Sequence, residues 1–231
     1  VNEGLSIDAT KKSKLTFIVA GAVVLLTLIS GSWFGYVQYT LNQDAKELRQ
    51  SNSKLMNDVI SISDFENVND DPEVVALTKK GDESSNKFNE YDKKNLIDHN
   101  YATLLNTATL DNYNVEVAAD HIIQNYEAKT SNEQIKDLFE DLKLASSRRV
   151  EAITSLKDTT SDLLRFMKSD DLYHWNESMG YYNDFDDKYS ATVDKYFDVK
   201  HELEKIRKNS VSKVKNNQKK LDEINSKLWF K

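Results

Sequence analysis

"NEQIKDLFEDLKLASSRRVEAITSLKDTTSDLLRFM", residues 132–167, repeats its apolar side chains at the helical period and contains neither glycine nor proline. Ile135, Phe139, Leu142, Ser146, Arg149, Ile153, Leu156, Thr160, Leu163 and Met167 step by four and three, a near-heptad row. Leu138, Ala145, Ala152 and Phe166 form a second row, which widens the stripe to what a bundle helix needs. Ser131 or Asn132 stands at the N-cap, with Gln134 close behind. "KSDD" at 168–171 makes the next turn, with Ser169 or Asp170 as the cap that follows. This stretch predicts an all-α fold.

The pattern extends in both directions. Downstream, Leu172, Trp175, Met179, Tyr182, Tyr189, Val193, Tyr196, Leu203, Ile206, Val214, Leu221, Ile224 and Leu228 predict one long final helix. Gly180 lies inside it, at a cost of about 1 kcal/mol. Upstream, a row from Ile97 through Tyr101, Leu104, Ala108, Asp111, Val115 and Ala118 to Ile122 predicts another, with "LDNYN" marking a kink near Asn112. Leu41, Ala45, Leu48, Asn52, Leu55, Val59 and Ile62 form a further heptad seam. Between these two lies an acidic connector, residues 63–85, with Pro72 placed to open a short helix that Gly81 stops.

Composition agrees. The 231 residues include six glycines, one proline and no cysteine, so few helix breakers are available. Without cysteine there are neither disulfides nor thiolate metal sites, which leaves helix packing as the source of stability. No alternation of apolar and polar residues is long enough for a sheet, and no repeat of 20–50 residues is visible.

One segment departs from this polar pattern. Between Lys14 and Gln38 no residue is charged, and Leu15–Val37 is mostly apolar. As a helix, 23 such residues span roughly 35 Å, enough for a hydrocarbon core of about 30 Å. A cleaved signal sequence has a shorter apolar region, although Ser30-Gly31-Ser32 imitates its cleavage site. Trp33, Phe34, Tyr36 and Tyr39 follow, as an interfacial aromatic belt would. We therefore read a retained single-pass anchor. Lys11, Lys12 and Lys14 put the 1–14 tail in the cytoplasm and the remainder outside the cell membrane. The expected order is tail (1–14), anchor (15–37), helical stalk (38–62), connector (63–85) and extracytoplasmic bundle (86–231). Thr27, Gly31 and Gly35 repeat every fourth residue, a small-residue face suited to pairing two anchors in a homodimer.

Chemistry-bearing motifs are few. His201-Glu202 begins like a zinc-protease motif, but Lys205 stands where its second histidine belongs. Asp171/His174 and Asp198/His201 share one predicted helix and stand roughly 40 Å apart along it, too far to close on one ion. Nucleophile elbows, phosphate-binding glycine loops and nucleic-acid modules are absent, and no cofactor is expected. Among the aromatics of residues 170–189, Trp175, Tyr182 and Tyr189 fit the seam. Tyr181 and Phe185 fit it less well and are the contact candidates for a partner or ligand. Lys205, Arg207, Lys208, Lys213, Lys215, Lys219 and Lys220 form a basic block without an acid, and all but Arg207 share one broad face. With Trp229 and Phe230 beyond it, this end is placed to touch anionic lipid or wall polymer.

The expectation is an elongated, antiparallel, coiled-coil-like bundle of three or four helices on a membrane anchor. Its function is expected to be non-enzymatic, with the bundle binding or spacing other proteins of a bacterial envelope. An accessory subunit of a membrane complex or an exclusion or immunity factor at the cell surface would have this form. The alternative is an envelope hydrolase or its direct activator.

Overall fold

The computed structural model describes residues 7–229, and their side chains from Gly31 onward except at 68 and 69. Five α-helices and one 3-10 turn make up the order α1 (Ile7–Glu66), a 3-10 turn (Asn67–Asp70), α2 (Pro72–Asp92), α3 (His99–Gln124), α4 (Glu133–Lys168) and α5 (Leu172–Lys227). The described residues contain no strand, so the chain is all-α. Among them no helix is long and apolar enough to cross a membrane. The side chains of residues 15–30, which hold most of the expected anchor, lie outside the described set, as do Thr27 and Phe230.

The chain forms two compact units: Val1–Ser53 with Val214–Lys231, and Lys54–Lys213. In the first, residues 38–52 of α1 and the end of α5 run antiparallel. Asn217 Nδ2 donates to Asn52 Oδ1 at 2.9 Å, and Gln38 meets the carbonyl of Lys227 at 3.1 Å. Each helix turns its heptad row inward, with Ala45 and Leu221 buried and Leu41, Leu48, Val214, Ile224 and Leu228 partly so.

The second unit is a bundle in four columns. Three are α3, α4 and the first part of α5; the fourth is the end of α1 continued by α2. Phe88 meets Tyr101 and Ser84 bonds Asp111, so α2 runs antiparallel to α3. The α3–α4 connection is fixed to α1 by Thr130 donating to Asp58 and Tyr126 to the carbonyl of Ser61. One apolar cluster gathers Ile62, Phe65, Ile123, Ile135, Phe139, Leu142 and Leu203. The other holds Ala102, Leu105, Leu163 and Trp175. Of the ten residues in the first α4 row, eight are buried; Arg149 and Met167 are intermediate.

Several expectations are corrected. The helix begun by α1 does not end at Ile62 but runs to Glu66, and α2 passes Gly81 to reach Asp92. Pro72 does open α2, because Asp71 caps it by accepting from the amides of Glu73 and Val74. Helix α3 is continuous through Asn112; Ile97 lies before it and is exposed. Ala108 and Asp111 of the expected row are buried, but so are Ala102, Leu105, Thr109, Glu116 and Ile123 beside it, since α3 packs on both α2 and α4. Asn132 caps α4. Asp171, not Ser169 or Asp170, caps α5 by accepting from the amide of His174 at 3.2 Å. Ser169 closes α4 instead, and Asp170 takes the left-handed conformation (φ 56°) that reverses the chain.

Two helical glycines differ in purpose. A Cβ at Gly81 would meet Asn112 Oδ1 at 2.7 Å, and Asn112 is held by its bond to Ser85 Oγ at 3.0 Å. Around Gly180 nothing lies within 4 Å. Gly180→Ala is therefore expected to stabilise by roughly 0.5–1 kcal/mol. Gly81→Leu should destabilise by about 1–3 kcal/mol through overpacking. Thermal melts of the two variants should move in opposite directions.

Candidate functional site

The first unit gathers aromatic rings at one end. Trp33, Tyr36 and Tyr39 of α1 are 69%, 66% and 63% exposed, and Trp229, just past α5, is 76% exposed. Phe34 meets Trp229 edge-on, with ring centroids 5.4 Å apart and planes at 86°. Gln38 closes the arrangement: its Nε2 donates to the carbonyl of Lys227 (3.1 Å), and its Oε1 accepts from the amide of Trp229 (3.2 Å). One side-chain amide thus satisfies a carbonyl that the last turn of a helix leaves open. Residues 33 to 39 cover roughly 9 Å of helix, so the rings form a narrow band. Apolar rings this exposed and this concentrated make the band a candidate contact surface. The band adjoins the uncharged run at its C-terminal end.

The other residues singled out in the sequence are dispersed. Gly31 and Gly35 have nothing within 4 Å of an added Cβ. The basic block divides in two. Lys205 pairs with Glu202 (3.4 Å) and Lys208 with Glu204 (3.3 Å). Arg207 chelates Glu204 through two bonds (2.5 and 2.9 Å), which with burial acting against it draws that carboxyl down to about 2. Lys213, Lys215, Lys219 and Lys220 are exposed and make no ion pair among the described residues. Tyr181 is exposed, and Phe185 is half-buried with Lys188 Nζ 5.1 Å from its ring centre. Of the histidines, His174 bonds Asp171 at 2.7 Å within the cap of α5, and His201 and Asp198 are exposed. No group of metal-ligating side chains converges among the described residues.

The second unit holds a feature that the periodicity did not show. Between α2 and α5 lies an open groove of about 530 Å³ whose lining also draws on α3 and α4. On its inner side Arg149 pairs with Glu116, and the Tyr189 hydroxyl donates to the same carboxylate oxygen at 2.7 Å. The guanidinium lies over the Tyr196 ring, 4.4 Å from its centre, and Lys200 Nζ approaches the same ring at 5.8 Å. Burial opposes the charge on Arg149, but Glu116 more than compensates and holds its pKa above the usual arginine value. Burial lowers that of Lys200 and raises that of Tyr189. The available signal was a charged residue, Arg149, in a row otherwise destined for the core. Glu116 gave none, because it neighbours the expected row without belonging to it.

Comparison of the chain with protein-family models, curated proteins and solved structures finds no match in any of the three.

Proposed function

We propose that the chain is a membrane-anchored, non-enzymatic envelope protein whose helical bundle binds or spaces other components outside the membrane. The observation that carries this reading is the exposed aromatic band, built from both α1 and the residue after α5, at the end of the uncharged run 15–37. Tryptophan and tyrosine favour the membrane–water boundary because the ring is apolar and its edge is polar. The backbone of α1 is helical through the whole run.

Charge supports a spacer. The unit Val1–Ser53 with Val214–Lys231 has ten basic and six acidic residues, whereas Lys54–Lys213 has twenty-one and thirty-two. An acidic bundle is repelled from anionic headgroups. Along a helix standing on the membrane normal, Lys219 and Lys220 lie roughly 15 Å from Trp229, beyond a Debye length of about 8 Å. That height favours wall polymer or an acidic protein over headgroups as the partner of the lysine face.

The natural chain has no cysteine, so Trp229→Cys gives a single labelling site. A fluorophore there, on the full chain in vesicles, should be strongly quenched by lipid-borne quenchers, whereas one at Asn216 of the same unit should not. Equal quenching at both positions, or none at 229, overturns the arrangement. Protease added to intact cells should degrade residues 40–231; their protection until the membrane is opened would reverse the orientation.

A further inference from the structure

The groove of the second unit places a half-buried cation without an ion pair beside an apolar wall. Val74 and Val75 of α2, Val115 and Ala119 of α3, and Phe197 of α5 supply apolar lining. Val75 and Phe197 are exposed although large and apolar. Within this lining Glu116 Oε1 is held by both Arg149 and Tyr189. Lys200 is half-buried and makes no ion pair among the described residues. The charges facing it are Arg149 from α4 and Glu66 from α1, the latter already shared with Arg207 at 3.8 Å. On the α2 side, Lys79 and Asp82 offset each other at the rim. Withdrawing an ammonium from water without a counter-charge is unfavourable, and an incoming anion relieves that cost. One lysine without an ion pair calls for a monoanion. The volume falls within the range of small-molecule sites, about 300–1,000 Å³.

We propose that this groove binds a small organic monoanion, an apolar body ending in a carboxylate, with Lys200 receiving the charge and Phe197 and Val75 covering the body. The inference does not depend on the membrane reading. The probe is 4-phenylbutyrate, titrated calorimetrically into the full-length chain in phosphatidylcholine nanodiscs, with empty nanodiscs subtracted. Saturable binding is expected, weakened at least about tenfold when the probe is replaced by its neutral amide. Lys200→Gln should weaken it by a similar factor, Lys200→Arg should largely retain it, and Lys188→Gln should leave it unchanged. Binding favours the charged lysine, so it should take up a proton at alkaline pH, seen as a heat that differs between buffers of different ionisation enthalpy. Absence of saturation, equal affinity for acid and amide, or no proton uptake would each overturn the assignment. The amide comparison and the proton count use the unmutated chain, so they decide the matter even if Lys200→Gln does not fold.

Discussion

Leu156→Asp is expected to lower the midpoint of thermal unfolding by roughly 10–15 °C, the larger of two mutational effects that the bundle's interior makes predictable. Leu156 is 4% exposed on the buried row of α4. The substitution removes a leucine's packing, about 2–5 kcal/mol in comparable cores, and sets a carboxylate in a buried position. Even if the aspartate protonates, a total above about 4 kcal/mol is expected, outside the ordinary range for a single change. Leu144→Asp on the same helix is the control. Leu144 is 48% exposed, so its change should stay within about 0.5 kcal/mol. Circular dichroism melts of both variants decide the point. Equal midpoints would mean that the buried face of α4 is wrongly assigned.

The second large effect concerns the pair that interrupts the core. Glu116→Ala leaves Arg149 charged, largely buried and without its carboxylate; the side chain is 14% exposed and its Nε already lacks a partner. Breaking a buried ion pair from one side costs about 3–5 kcal/mol. Arg149→Met with Glu116→Leu should recover most of that loss and can exceed the parent, since a well-packed apolar pair requires no desolvation of charge. Tyr189→Phe removes one bond to a charged acceptor and should cost about 1.5–3 kcal/mol. The measurement is a double-mutant cycle by denaturant unfolding. If the double variant is as unstable as Glu116→Ala alone, the pair's role is not electrostatic.

This pair also marks where sequence reasoning stops. The apolar rows named the buried residues of α4 almost one for one, because a helix with a single broad contact face must repeat its apolar residues at the helical period. Helix α3 misled because it is sandwiched between α2 and α4. Two contact faces blur one period, and polar side chains are tolerated wherever a neighbour satisfies them, as Ser84 and Lys80 do for Asp111 at 2.6 and 2.9 Å. Gly81 looked like a stop for the same reason. Its role, making room for Asn112, depends on a neighbouring helix, at a residue thirty-one positions further along the chain.

By itself the sequence determined the all-helical class, three of the caps' locations to within two residues, the seams of α1, α4 and α5, and the uncharged run with its aromatic border. Each of these is local: periodicity, capping chemistry and charge are properties of residues a few positions apart. Only the tertiary structure decided that Trp229 closes on Phe34 and Gln38, that Glu202 and Glu204 pair with Lys205, Arg207 and Lys208 of the basic block, and that Lys200 stands without an ion pair beside Arg149 in a groove. Those outcomes depend on partners brought together from distant segments or on how each helix is rotated about its axis. A single helix's pattern fixes which face turns inward, but not what that face will meet.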